Sequence, residues 1–238
     1  MLGLLTPDDL LAIAERCYRE RVDLDDPDAL EPFRWEAALV EPIRSLSPGG
    51  RMLDVFCGSG REAAIFARAG FEVTGVDYHA PRIARARSHA SSAGFAARFI
   101  HADFDRLQLA ERFDAVYLSP WMYGTYPGRE RRIALLQRMA GVLVVGGLVI
   151  ISYPLRERTP GAILYYRIAK AVSLLTLGNT GIEVGDRMLS SYFLHSFEAG
   201  EAEGEAASAR LQAVHQIDHG RAPGGSPLRF LVLRAEAR

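Results

Sequence analysis

Two rhythms of apolar residues alternate along the middle of this chain. Runs at 52–56, 71–76, 97–101, 113–118 and 148–153 are short, continuous and rich in Val, Ile, Leu and Phe. Each is bounded by Gly, Pro, Asp or Ser, which is the pattern of strands buried on both faces. Between them, 61–69, 81–92 and 129–144 carry apolar residues at helical spacing. Strands and helices alternating at this spacing predict βαβ units, a parallel sheet and right-handed crossovers. Ser47-Pro48-Gly49-Gly50 and Gly146-Gly147 read as turns.

The flanks follow other patterns. Leu11, Ala14, Tyr18 and Val22 recur on one side of a helix predicted over 8–22, with Pro7 near its start. An acidic loop over 23–32 separates it from a second helix at 33–46. Beyond the fifth strand, 154–195 is a helical insert with an apolar helix at 163–177. Its positions 164, 168, 171, 172 and 175 share a face, interrupted by Arg167 and Lys170. Core, subunit-interface and membrane-surface readings of that face all stay open. Ser196 reads as the N-cap of a helix over 196–209. Strands at 211–218 and 228–235, joined by HGRAPGGSP, then form an antiparallel hairpin. The expected organisation is an N-terminal helical cover, 1–48, on one α/β domain, 49–238.

Composition narrows the function classes. The chain has 238 residues, 49% of them apolar, enough for one sizeable core. With 28 basic and 29 acidic side chains the net charge is −1, which speaks against a protein that grips polyanions by bulk charge. Cys17 and Cys57 are too few for a disulfide framework or a thiolate zinc site. No metal site is expected. MLGLLTPDDLL has no basic region ahead of its apolar residues, and no apolar run is long enough to span a bilayer. A cytoplasmic protein is expected.

In an open parallel sheet, ligands bind beyond the carboxyl ends of the strands. Strand one leads into Gly58-Ser59-Gly60 and a helix, a place where backbone can approach an anionic group. Strand two ends in Asp77, whose carboxylate can accept both hydroxyls of a ribose. Strand three ends in Asp103-Phe104, an acid for an exocyclic amine and a ring for a base face. Taken singly, each is more often a tight turn or a solvated acid; in order, at successive strand ends, they point to a nucleoside-type cofactor. Gly58-Ser59-Gly60-Arg61-Glu62-Ala63 also fits the dinucleotide pattern, with Asp77 about 20 residues on. Asp54 discriminates: a buried carboxylate repels a pyrophosphate and suits a cofactor with an α-ammonium group.

MLDVFCGSGREA, VTGVDY, FIHADF, FDAVYLSP and VGGLVIIS together resemble the class I S-adenosylmethionine-dependent methyltransferases. The tail, from SYFLHSFEAGEAEGEAASARLQAVHQ to RFLVLRA, is similar to that family's last helix and hairpin. The resemblance covers about four-fifths of the chain. It implies a Rossmann-like, seven-stranded, mostly parallel sheet in the order 3-2-1-4-5-7-6, with helices on both faces. It implies S-adenosylmethionine as cofactor and S-adenosylhomocysteine as product. Asp54 and Gly58 to Gly60 would hold the methionine portion, with Cys57 in the same cofactor loop. Asp77 would bond the ribose, with Tyr78 against the adenine; Asp103 would bond the adenine amine, with Phe104 beside the ring. Ser119 would lie near the sulfonium. Phe56 stands where the family usually has glycine, under or beside the cofactor loop.

The acceptor end is less specific. Ser119-Pro120-Trp121-Met122-Tyr123 follows strand four, where amine-methylating nucleic-acid enzymes of this family carry a proline-rich grip; one proline here makes the match partial. The alternative is a loop in which Trp121, Tyr123 and Tyr126 wall an aromatic pocket, made mobile by Gly124 and Gly128. His101, His195 and His215 are the candidate bases, His195 foremost, and Tyr123 is a further catalytic candidate. Tyr18, Arg34 and Trp35 are candidates for a lid over the acceptor. Arg129-Glu130-Arg131-Arg132 reads as a solvated face. The expected function is methyl transfer to O, N or S of a small molecule, by a monomer or homodimer. Methylation of a nucleic-acid or protein amine, a cofactor-binding pseudoenzyme and, last, a nicotinamide dehydrogenase stand as alternatives.

Overall fold

Alternate residues of the central strands point to opposite sides, and both sides are buried. In a computed structural model, residues 5–20, 37–47, 50–156, 160–176, 181–189, 192–221 and 226–236 are described. The elements are α1 (Pro7–Glu20), α2 (Ala37–Leu46), β1 (Arg51–Val55), α3 (Arg61–Arg68), β2 (Glu72–Asp77), α4 (Ala80–Ala93) and β3 (Ala97–His101). There follow β4 (Phe113–Leu118), α5 (Arg129–Gly141), β5 (Leu143–Pro154), α6 (Pro160–Thr176), β6 (Asp186–Leu189) and β7 (Tyr192–His195). The chain closes with α7 (Glu201–Ser208), β8 (Leu211–Arg221) and β9 (Pro227–Ala235).

Seven strands form one sheet in the order β3-β2-β1-β4-β5-β9-β8. The first five are parallel, β9 runs antiparallel to β5, and β8 antiparallel to β9. This is the expected 3-2-1-4-5-7-6 order, renumbered by the extra ribbon described below. Leu53, Val55, Val116, Val149, Ile151 and Leu231 face one side, beneath α5 and α7. Met52, Ala115, Tyr117, Leu148, Ile150 and Phe230 face the other, against α2, α3 and α4. Burial on both faces is why these strands read as continuous apolar runs.

Several boundaries differ from the sequence reading. Gly146-Gly147 is no turn: both lie inside β5, where Gly146, at φ +74, falls in a break of the β4 register. Ser196 does not cap α7, which starts at Glu201 behind Gly200, in left-handed backbone. The Glu201 carboxylate instead accepts from the Glu198 amide at 2.8 Å, and Ser196 is buried. The insert holds α6 and also a two-stranded ribbon, β6–β7, that the pattern missed. Four residues per strand are too few for a period to show.

α6 is not a core helix. Ile163, Leu164, Tyr165, Ile168, Leu174 and Leu175 are exposed, while Tyr166 and Ser173 are buried and Ala169 packs against Leu10, Ile182 and Phe193. Among the described residues, no helix is long and apolar enough to cross a membrane. Arg34, Trp35 and the first part of the helix expected at 33–46 lie outside the described residues.

Candidate active site

Four loops meet at the carboxyl ends of β1 to β4, and α1 lies over them. Together they enclose a cavity of about 750 Å³, a size usual for small-molecule sites. β1 ends one residue earlier than its apolar run because Phe56 turns into left-handed backbone at φ +58. Gly58 at φ +53 and Gly60 at φ +84 continue the turn into α3. A Cβ on Gly60 would come within 3.2 Å of Ala86 and Phe99, so both its φ and its neighbours require glycine. Asp54 is fully buried on the same side of the sheet as Met52. Burial first, then the charges of Asp54 and Asp77, push the Cys57 thiol well up, so it stays neutral.

Asp77 lies behind this loop, fully buried. Its Oδ1 accepts from the His79 amide at 2.8 Å. Its Oδ2 accepts from the Gly58 amide at 3.0 Å and from the Tyr18 hydroxyl at 2.6 Å. The Tyr18 ring sits 5.3 Å from the Tyr78 ring, and the Arg82 guanidinium lies 4.4 Å over it. That enclosure, followed by the Asp77 charge, holds the Tyr18 hydroxyl far above its ordinary pKa, so it remains a donor.

The opposite wall comes from β3 and β4. Asp103 is exposed at the rim, and its Oδ1 accepts from the Asp105 amide at 3.0 Å. Trp121, at φ +54, donates its amide to Ser152 Oγ at 2.8 Å, which fixes the loop after β4. Tyr126 stacks on Phe56, with centroids 6.2 Å apart and planes at 26°. Phe56 therefore joins the glycine loop to the β4 loop.

Of the expected cofactor residues, Cys57, Ser59, Tyr78, Asp103 and Ser119 line the cavity, beside Phe56 and Gly58. Asp54, Gly60 and Asp77 stand behind this lining, buried. Tyr18, Trp121 and Tyr126, expected at the acceptor, line the same cavity. Four expectations are corrected. Phe104 is buried in the core under α5, with the Arg138 guanidinium 5.0 Å over its ring, and does not line the cavity. Tyr123 is fully buried and donates to Glu205 Oε2 at 2.5 Å. His195 is fully buried between Asp186 at 2.7 Å and Glu201 at 2.9 Å. Gly124 is packed rather than hinge-like, since a Cβ there would lie 2.6 Å from the His195 carbonyl.

Among the described residues, His101, placed behind His195 by the sequence, is the histidine that lines the cavity; its Nε2 lies 3.1 Å from the Tyr78 carbonyl. Arg61, Glu62 and Arg82 also line it and were missed. Their place just after the glycine loop and just after Asp77 was the available signal. Glu183, Asp186 and His195 bring ligand atoms within 4.8 Å of one another. Arg132 donates to Glu183 at 2.8 Å, and His195 holds Asp186, so the chain's own donors already serve these acids.

The family described as "Methyltransferase domain" matches residues 52–147. A demethylmenaquinone methyltransferase of Thermus thermophilus is 32% identical over 187 residues, 76% of this chain and 80% of that relative. A ubiquinone biosynthesis O-methyltransferase of Bradyrhizobium sp. is 36% identical over 105 residues, 44% of this chain; the match spans only 40% of that relative's length. Among solved structures, the 1,6-didemethyltoxoflavin-N1-methyltransferase of Burkholderia thailandensis superposes with a TM-score of 0.68 at 18% identity, covering 98% of this chain and 92% of that one. The CcbJ methyltransferase of Streptomyces caelestis superposes at 0.67 and 18% identity, covering 93% and 98%. At such identities the superpositions speak for the fold alone. The long menaquinone-relative match, the family match over the glycine loop and strand-end acids, and the sheet order agree: the chain belongs to the class I S-adenosylmethionine-dependent methyltransferases.

Proposed function

We propose that this cavity binds S-adenosylmethionine and directs its methyl group to a small aromatic acceptor. The observation that carries the reading is convergence. The glycine loop, through Gly58, and Asp103, just beyond β3, line one cavity of about 750 Å³, and Asp54 and Asp77 lie buried behind that lining. This donor set fits the cofactor. Asp54 and the Gly58–Gly60 backbone suit its amino-acid end, Asp77 its ribose diol, and Tyr78 with Asp103 its base. Ser119 is the residue we place nearest the reacting centre.

Bound there, the cofactor supplies a methyl group already activated as a sulfonium. The chain's task is then to align an acceptor and exclude water. Phe56, Trp121 and Tyr126 offer flat aromatic surface for this from the β1 and β4 loops. The relatives are named for ubiquinone biosynthesis and for demethylmenaquinone, which supports a small-molecule acceptor; the first name gives oxygen as the methylated atom. His101, which lines the cavity, is the base we assign where the acceptor has a proton to lose. The balanced charge supports a small molecule over a polyanion, and two cysteines support a cytoplasmic setting.

A thermal shift with S-adenosylhomocysteine, S-adenosylmethionine and NAD tests the cofactor. A ligand at 100 times its Kd adds about 2.7 kcal/mol of stability. A raised midpoint with the first two alone is expected. A rise with NAD alone, or with none in protein free of co-purified cofactor, overturns the reading.

A further inference from the structure

Three donors converge on Asp77. Two are backbone amides, from Gly58 and His79, and belong to the strand-end loops themselves. The third is a hydroxyl, Tyr18, brought in by α1 from 59 positions away. Of the three, it is the one that a ribose can replace like for like: hydroxyl for hydroxyl, on the same carboxylate oxygen. Tyr18 also covers the glycine loop, since a Cβ built on Gly58 would lie 3.6 Å from its oxygen.

We propose that Tyr18 is a gate on the cofactor site, its hydroxyl holding the ribose place on Asp77 until a ribose displaces it. The proposal rests on the reading of Asp77 as the ribose ligand. Displacement leaves Asp77 fully bonded, because one neutral donor leaves as another arrives. It does release one tether of α1. At that end of the helix the ring contacts of Tyr18 with Tyr78 and Arg82 and the Arg19 guanidinium, 5.2 Å over the Tyr78 ring, remain. Toward its start lie the Asp8–Arg131 ion pair and Leu10 packed on Ile182 and Phe193. Leu11 and Ala14 of α1 line the same cavity. Loading at the ribose place therefore removes one of the contacts that hold the second half of α1 over the cavity and loosens it there, which favours cofactor first and acceptor second.

Calorimetry on the wild type and Tyr18→Phe tests the gate. Phenylalanine keeps the ring against Tyr78 and Arg82 and deletes only the competing hydroxyl. S-adenosylhomocysteine should bind Tyr18→Phe about 3- to 10-fold more tightly, the equivalent of one net hydrogen bond. Equal or weaker binding overturns the gate. In the wild type, adenosine against 2′,3′-dideoxyadenosine checks the ribose reading separately. Tighter adenosine binding supports it; equal binding removes both that reading and the gate. Should Tyr18→Phe fail to fold, amide hydrogen exchange over residues 7–20 of the wild type decides. Faster exchange on adding S-adenosylhomocysteine supports the gate, and unchanged or slower exchange overturns it.

Discussion

The guanidinium of Arg132 and the carboxylate of Glu205 form a two-pronged ion pair, with neither side chain exposed. Nε lies 3.0 Å from Oε2 and Nη2 lies 2.6 Å from Oε1, tying α5 to α7. The sequence pattern had placed Arg132 on a solvated face. A buried pair gains little net stability over apolar residues of similar volume, but removing one partner strands the other charge. Glu205→Ala should cost about 3–5 kcal/mol in urea unfolding. The double change Arg132→Met with Glu205→Leu should recover part of that loss, because Glu183 and the buried Tyr123 hydroxyl still lose their partners. Additive losses would show that the two residues are not energetically coupled.

Phe56 combines a left-handed backbone with a buried ring. The first is unfavourable by about 1–2 kcal/mol for a residue with a Cβ, and the second favourable by more. Phe56→Ala keeps the backbone penalty and loses the ring; Phe56→Gly loses both. Phe56→Gly should therefore be the more stable of the two variants by about 1 kcal/mol, with both below the wild type. The reverse order in chemical denaturation would refute this account.

Burial disfavours the charged form of His195, yet its hydrogen bonds to Asp186 and Glu201 outweigh that and raise its pKa above 6.5. Glu183, 3.8 Å away, and Arg132 also act on the ring. A folded-state pKa above the unfolded one adds stability that is full below the unfolded value and fades as pH rises through the folded value. The urea midpoint should thus decline as pH rises above about 6.5, and His195→Gln should flatten that decline. Equal slopes in the two proteins would exclude His195 as the source.

Gly124 packs against the backbone of β7, where a Cβ would meet the His195 carbonyl at 2.6 Å and Leu194 Cδ1 at 3.1 Å. Gly124→Ala should destabilise by about 1–3 kcal/mol through overpacking. A gain in stability would mean that the glycine serves as the hinge its sequence context suggested.

Asp77→Ala removes the carboxylate assigned to the ribose. Affinity for S-adenosylhomocysteine should fall by about 1–3 kcal/mol in calorimetry. Unchanged affinity would sink that assignment.

The sequence by itself determined the central parallel strands and which residues stand at their carboxyl ends. Strands buried on both faces must be continuously apolar, and a turn at positive φ favours glycine, so Gly58, Gly60, Asp77 and Asp103 were visible as local patterns. Resemblance supplied the strand order. Tertiary structure alone decided which side chains face the cavity. His195 and Tyr123 carry the same chemistry as His101 and Tyr18, yet the first two are sealed in an ionic network spanning α5, α7 and the insert. Glu205 lies 73 positions from Arg132, and Asp77 lies 59 from Tyr18. Contacts at such separations follow from how helices pack on the finished sheet, and no period or motif in the chain encodes which polar group finds which partner.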